Sequence, residues 1–215
     1  MSIPFEFYIR GFLIGLIHLC IGFYMDLTFS REEYNELKKD KKLWRDAWRS
    51  IQINLLGITP ISYLFLISSP YFLSEKEMKL IFEFKKYLGL ILIQNIMYYV
   101  IHYIMHQYLY CIHKFHHQFQ SVLIPSIAFA VSPYEFVFAY LLPFFIGCIC
   151  IKPTEITFLS SVFFISFLNF IIHTSKWKDI KWLPYFVSPK DHVEHHTKKT
   201  VYYSAPFLSF DKIFS

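Results

Sequence analysis

Long apolar stretches alternate with short charged segments along this chain. Five uncharged runs stand out, at residues 11–25, 51–74, 87–113, 136–151 and 156–175. A helix that spans a bilayer needs roughly 20 apolar residues. Three runs reach that length, whereas the first and the fourth are short and require tilting or flanking residues that reach the interface. Because stretches such as YLGLILIQNIMYYV are apolar on every side rather than amphipathic, the pattern predicts an all-α, polytopic membrane protein with about four to five spans.

Composition supports this prediction. The 215 residues are 55% hydrophobic, against roughly 45–50% in soluble domains. No linker, repeat or low-complexity segment divides residues 1–215, which predicts a single domain. The first run lacks a small-residue cleavage site and is interpreted as a retained anchor. The cysteines, none in C-x-x-C spacing, are predicted to be buried thiols outside any disulfide framework; they are Cys20, Cys111, Cys148 and Cys150.

The placement of charge predicts a topology. The segment REEYNELKKDKKLWRDAWR follows the first run and carries seven of the 21 Lys and Arg residues. The positive-inside rule assigns this segment to the cytosol. With five crossings, 15 of the 21 basic residues then lie on the cytosolic side. The weak point is Lys76–Lys86, because an interfacial helix there would change the number of crossings. Basic residues flank the runs rather than forming a nucleic-acid face, so attraction to anionic headgroups is expected.

Histidines concentrate on the predicted cytosolic side. His102 and His106 are four residues apart, which places them on one helix face. The motif H-x-x-H-H occurs twice, as HKFHH at residues 113–117 and as HVEHH at residues 192–196. His173 ends the fifth run, and only His18 stands apart, as a hydrogen-bonded helix histidine. A repeated histidine motif at the edge of the membrane indicates metal binding.

Residue type and number limit the metal site. Zinc sites use three or four protein ligands, so eight or nine histidines are too many for one ion and favour two. Imidazole suits Zn, Cu, Fe and Ni alike, so the residues do not select the metal. The candidate ligands are His102, His106, His113, His116, His117, His173, His192, His195 and His196.

The boxes HYIMH, HKFHH and HVEHH resemble the eight-histidine signature of the fatty acid hydroxylase superfamily, which includes sterol desaturases, sterol C4-methyl oxidases, and sterol and fatty acid hydroxylases. The segments NFIIHTS and FLSFDKIF resemble two further motifs of that family, and the resemblance covers residues 91–215. It implies a non-haem di-iron centre at the cytosolic face of the endoplasmic reticulum that uses O2 to hydroxylate or desaturate a lipid. The eight box histidines match the family core and His173 matches a further family histidine. A separate donor, cytochrome b5 or a reductase, would supply electrons.

Within the family, the H-x-x-H-H spacings favour a sterol substrate. The alternatives are a fatty acid or alkylglycerol hydroxylase, a non-catalytic metal-binding membrane protein and a degenerate homologue. Ser132 stands where many relatives have histidine in the segment Ser132-Pro133-Tyr134-Glu135. Outer groups are needed to orient the second nitrogen of each imidazole, and the candidates are Asp191, Glu194, Glu135 and Asn169. For Asp191, an N-cap ahead of HVEHH is an equal alternative.

Overall fold

Long helices form nearly the whole fold. The computed structural model describes residues 5–75, 79–120 and 122–214. Within these ranges the only β-pairing is an isolated bridge between Phe186 and Leu208. Five described helices are long and apolar enough to cross a membrane. They are α1 (Phe5–Phe29), α3 (Lys41–Ser68), α4 (Leu80–Gln107), α6 (Pro133–Ile151) and α7 (Glu155–Ile172).

Shorter helices connect and complete these five. They are α2 (Arg31–Leu37), α5 (Tyr110–His113), α8 (Pro189–Lys198) and α9 (Phe210–Ile213). Single 3₁₀ turns occupy His116–Phe119, Pro125–Phe129 and Ser175–Trp177. The all-α prediction with four to five spans is therefore confirmed.

The helices extend beyond the uncharged runs. α1 has 25 residues and α6 has 19, so the first and the fourth spans are not short as predicted. α3 begins ten residues before the second uncharged run, at Lys41, with an amphipathic segment capped by the Asp40 carboxylate. Uncharged runs do not show these extensions, because a helix continues past the last apolar residue for as long as its backbone hydrogen bonds continue.

Two spans contain a π-helical segment. Ile53–Ile58 lies within α3 and Phe136–Leu141 within α6, and each precedes a proline, Pro60 and Pro143 respectively. Proline has no N–H and its ring meets the carbonyl four residues earlier, so the helix widens locally. In α3 the Thr59 hydroxyl donates to the Asn54 carbonyl at 2.9 Å and satisfies one of the displaced groups.

Glycines let α1 lie against α3 at short range. A Cβ on Gly15 would lie 1.8 Å from the carbonyl oxygen of Leu55, and one on Gly11 would lie 2.7 Å from the Cα of Pro60. The two glycines form a G-x-x-x-G pattern, which allows close helix contact within a membrane. The G-x-x-x-G pattern is visible in the sequence, but predictions from charge and hydropathy did not take it into account.

Opposite ends of the bundle hold different segments. At one end, the Ser74 amide donates to the Pro153 carbonyl at 2.9 Å and the Lys86 ammonium donates to the Lys152 carbonyl at 3.0 Å. The histidines lie at the other end. Lys79 is the N-cap of α4, and Lys85 and Lys86 lie in its first two turns, so these lysines stand at the end of a candidate span, whereas Lys76 lies outside the described residues.

Three of the four cysteines are exposed, so the prediction of buried thiols was wrong for them. Only Cys148 is buried, while Cys20, Cys111 and Cys150 are exposed, and all four are free. Cys20 and Cys150 lie on outward faces of spanning helices. In a spanning helix such a face meets lipid tails, so a thiol there needs no protein burial.

Candidate metal centre

Four parts of the fold carry the nine predicted ligands to one end of the bundle. The last turns of α4 hold His102 and His106. The chain after α4 holds the first H-x-x-H-H box, in α5 and the 3₁₀ turn that follows it. His173 ends α7, and α8 holds the second box. Eight of the nine imidazoles are buried, and His106 is half-buried.

The nine histidines form two separate groups. In each group one ring nitrogen of every member lies within 4.8 Å of those of the others. The first group has five members, His102, His106, His113, His117 and His195. The second has four, His116, His173, His192 and His196. The prediction of two metal ions, each with about four imidazole ligands, therefore agrees with the two groups that the structure forms.

Each H-x-x-H-H box divides between the two groups. His113 and His117, the outer pair of the first box, belong to the five-histidine group, whereas His116 belongs to the other. The second box divides in the same pattern with the groups exchanged. His192 and His196 belong to the four-histidine group, whereas His195 belongs to the five-histidine group. The two groups therefore share both boxes and cannot form independently of each other.

The Nε2 atoms within each group face one another. In the five-histidine group the Nε2 atom of His113 lies 2.8 Å from that of His102 and 2.9 Å from that of His117. In the four-histidine group the Nε2 atom of His192 lies 3.0 Å from that of His173 and 3.2 Å from that of His196.

These separations fit a bound metal ion. Metal–imidazole bonds are about 2.0–2.1 Å long, so ligands at right angles around one ion lie roughly 3.0 Å apart. A set of converging imidazole nitrogens with no other donor suits Fe, Zn, Cu or Ni. The residues present therefore fit the two metal ions that the sequence predicts, while ligation by these nine histidines stays a prediction.

Acceptors on the outer side orient the rings. The Nδ1 atom of His102 donates to the Tyr203 carbonyl at 2.7 Å, that of His195 to the Val201 carbonyl at 2.8 Å, and that of His173 to the Asn169 carbonyl at 2.7 Å. A carbonyl can only accept, so Nδ1 carries the proton and the lone pair of Nε2 points into the group. Sequence reasoning missed the backbone carbonyls because they carry no residue-type signal.

Burial keeps the rings outside the spans neutral. It lowers the pKa of His117 to about 3 and that of His173 to about 4. Burial, reinforced by neighbouring imidazoles, also places the pKa values of the remaining box histidines outside the spans well below 6.5; these are His113, His116, His192, His195 and His196. Neutral imidazole is the form that binds metals.

Glu135 is the one candidate carboxylate that contacts a candidate ligand. Its Oε1 atom accepts from Nδ1 of His113 at 2.7 Å, and both side chains are buried. Ser132, the departure from the family pattern, is the N-cap of α6, and its hydroxyl accepts from the Glu135 amide at 3.1 Å. Serine is a favoured N-cap, so this residue helps to fix the turn that presents Glu135.

The other predicted outer groups have different partners. Asp191 is not the N-cap of α8, as one alternative held; Ser188 is, and Asp191 completes a capping box three residues later. The Asp191 carboxylate also accepts from the Lys212 ammonium at 2.6 Å. Glu194 pairs with Lys198 at 3.4 Å. Asn169 acts through its backbone carbonyl rather than its side chain.

The C-terminal segment holds the backbone beside the site in place through hydrogen bonds. The Asp211 carboxylate accepts from the amides of Tyr203 and Ser204 at 3.1 and 2.8 Å. Since the Tyr203 carbonyl accepts from His102, Asp211 positions a candidate ligand through the backbone. Asp211 lies in FLSFDKIF, whose resemblance to a family motif was the available signal.

Fold and site together define a multi-pass helical membrane protein with paired histidine clusters at one end of its bundle. The family model for fatty acid hydroxylases matches residues 87–215. The chain belongs to the fatty acid hydroxylase family, a metal-dependent family of oxidoreductases, and the recognition from the histidine boxes is confirmed. No curated protein and no solved structure matches the chain. The prediction that residues 1–215 form a single domain stays a prediction.

Proposed function

We propose that this protein is a membrane di-iron oxidoreductase that uses O2 to hydroxylate or desaturate a lipid, with a sterol as the favoured substrate. The single observation that carries the proposal is the convergence of nine imidazoles into two adjacent groups within a family of hydroxylases. When bound, two iron ions would supply the activation of O2 for attack on an unactivated C–H bond.

The residues of the chain perform three tasks in this proposal. The imidazoles hold the metals through Nε2, while backbone acceptors at Nδ1 fix the tautomer and the ring orientation of His102, His173 and His195. Burial of the site excludes bulk water, which strengthens electrostatic interactions and limits side reactions. The spanning helices keep the site at the edge of the hydrocarbon region, so a lipid can approach from the membrane.

Substrate, partners and location extend the proposal. The H-x-x-H-H spacing of both boxes favours a sterol, and the alternative is a fatty acid or alkylglycerol hydroxylase. Electrons would come from a separate donor such as cytochrome b5 or a reductase. The endoplasmic reticulum membrane, with the histidine groups on its cytosolic side, is the proposed location, supported by the family membership and the distribution of Lys and Arg.

Metal analysis of purified protein tests the site. Because each cluster satisfies the ligand requirement of one ion, we expect about two iron ions per chain. His195→Ala and His116→Ala remove one ligand from the first and the second group respectively, so each should lower metal content and abolish activity. A single zinc ion retained in both variants would contradict the di-iron proposal.

Lipid profiling tests the reaction. The chain would be expressed in yeast strains that each lack one sterol oxidation step, with the His195→Ala variant as the matched inactive control. A new oxidised sterol in one strain would support the sterol proposal, and an oxidised acyl or alkylglycerol species would support the alternative. Metal binding without any oxidised lipid would indicate a non-catalytic or degenerate protein.

A further inference from the structure

A largely apolar cavity lies within the helix bundle beside the histidine groups. Together with the part that is open to the outside, its empty space is about 880 Å³. Residues from all five spanning helices line it, mostly Leu, Ile, Phe and Tyr. Such walls fit the hydrocarbon part of a lipid.

Two buried polar atoms in this lining have no hydrogen-bond partner. His18 and Gln94 both line the cavity, and their side chains are 3% and 2% exposed. Among the described residues, neither Nε2 of His18 nor Oε1 of Gln94 has a partner. A buried polar atom that lacks a hydrogen bond destabilises the protein, so a bound molecule that supplied the bond would remove that penalty.

The tautomer of His18 determines what kind of partner fits. Its Nδ1 atom lies 2.7 Å from the carbonyl oxygen of Ile14, and a carbonyl can only accept, so Nδ1 carries the proton. A charged imidazole is costly in apolar surroundings, which leaves Nε2 as a bare acceptor. Oε1 of Gln94 is also an acceptor. Both groups therefore call for a donor, a role that a hydroxyl can fill and a carboxylate cannot.

The cavity borders the metal centre through two spanning helices. Tyr98 lines the cavity one turn before His102, and their rings lie 5.1 Å apart. Asn169 lines it one turn before His173 and accepts the Nδ1 proton of that ring. The His18 ring packs edge-on against Phe129 at 5.9 Å, and the next residue, Ala130, offers its carbonyl to Nδ1 of His116 at 3.4 Å.

We propose that this cavity binds a lipid alcohol whose one hydroxyl proton is donated to Nε2 of His18, with Oε1 of Gln94 as the alternative acceptor. The inference deepens the proposed function and rests on it for the chemistry that follows binding. A hydroxyl fixed at His18 sets how deep the lipid lies, and therefore which carbon reaches the metal centre. The shared chemistry is that of an aliphatic alcohol, which a sterol or a long-chain alcohol could provide.

Binding to the full chain in nanodiscs tests this without any turnover. The probes are cholesterol and its 3-O-methyl ether, and 1-hexadecanol and its methyl ether, because each ether keeps the hydrocarbon but loses the donor. We expect one alcohol to bind the wild type at least about tenfold more tightly than its ether, the factor that 1.4 kcal/mol represents. The pair that shows this preference identifies the source of the hydroxyl.

Variants separate the subsite from the cavity as a whole. His18→Phe keeps a ring against Phe163, which stacks on His18 at 4.5 Å, but removes the acceptor. The preference for alcohol over ether should fall to near unity in the double variant His18→Phe, Gln94→Leu. Leu159→Ile is the control, because Leu159 lines the same cavity without an acceptor, and the preference should persist there.

Three outcomes overturn the inference: equal binding of alcohol and ether by the wild type, a preference that survives the double variant, or no binding of either pair. If His18→Phe or the double variant fails to fold, the wild-type comparison of alcohol and ether still decides. Because binding needs neither iron nor O2, a donor-dependent preference in a chain that oxidises nothing would leave this inference standing while the proposed function fails.

Discussion

At the residue scale, histidines that make the same kind of bond at Nδ1 serve different roles according to what their Nε2 atoms face. The Nδ1 atoms of His102, His173 and His195 each donate to a carbonyl, which turns Nε2 toward its group. His18 makes the same kind of bond, to Ile14, but its Nε2 faces an apolar cavity. The prediction of a hydrogen-bonded helix histidine at position 18 is confirmed, and the free Nε2 atom is what the structure adds.

Glu135 gives a prediction at this scale. Glu135→Ala removes the acceptor of the His113 Nδ1 proton, and loss of such an outer partner typically lowers metal affinity by about 10–100-fold. Glu135→Gln keeps an acceptor oxygen at the same reach and should lose much less. Competition with a chelator measures both affinities. Equal affinity of the alanine and glutamine variants would show that the contact with His113 does not position the ring.

At the element scale, close packing of α1 against α3 supports one wall of the cavity. Gly15 lies against the Leu55 backbone, and both Ile14 and Leu55 line the cavity. The π segment of α3 contains Leu55, so a local widening of one helix meets a glycine on the next. The helices could be predicted from hydropathy, but this contact depends on how two of them are rotated about their axes.

Gly15 and Gly57 form a matched pair for testing that contact. A Cβ on Gly15 would overlap the Leu55 carbonyl, whereas one on Gly57 meets nothing within 4 Å. Gly15→Ala should therefore destabilise the protein by about 1–3 kcal/mol, as overpacking usually does, while Gly57→Ala should change little. Thermal unfolding in detergent measures both. Similar unfolding temperatures for the two variants would contradict close packing at Gly15.

At the scale of the whole molecule, the five spans place charge and histidines in a definite order. The segment 30–40 and the chain after α7 lie at the histidine end of the bundle, because the Ser126 amide donates to Asp26 near the end of α1 and the Ser175 amide to the Leu123 carbonyl. The turn at residues 152–154 lies at the opposite end. Which end faces the cytosol stays a prediction from the positive-inside rule.

Cysteine labelling decides the orientation. In a cysteine-free background, Lys39→Cys and Lys178→Cys should react with a membrane-impermeant maleimide on sealed microsomes whose cytosolic face is outward. Lys152→Cys should react only after detergent is added, since its turn lies at the other end of the bundle. Labelling of Lys152→Cys in sealed microsomes would show that the orientation is opposite to the predicted one.

Acid should destabilise the metal-free protein. Burial holds the pKa of His117 at about 3 and that of His173 at about 4, below the unfolded value of about 6.5. Below that pH the unfolded chain binds protons that the folded chain does not, so stability falls as the pH drops from about 6.5 toward about 4. Unfolding temperatures of chelator-treated protein at pH 7 and 5 measure this. Identical values would mean that the pKa values of these histidines are not lowered by folding.

Some of the site was readable from the sequence. Uncharged runs predicted the spans, because a helix that meets lipid on most sides must be apolar on most sides. Spacing and residue type predicted nine candidate ligands, and the fold brings these nine histidines together. Helix periodicity is compatible with the division of the second box: at 100° per residue, His192 and His196 lie about 40° apart, while His195 lies about 60° from His192 and about 100° from His196. The family followed from the boxes.

Only the tertiary structure decided the rest. The first box divides in the same pattern although it spans a short helix and a 3₁₀ turn, and packing decides which group each outer pair joins. The acceptors at Nδ1 come from segments as far as 101 residues away, as for His102 and Tyr203. Local spacing shows which imidazoles share a helix face, whereas the nitrogen that His102 presents depends on a carbonyl 101 residues away, which only the fold brings near.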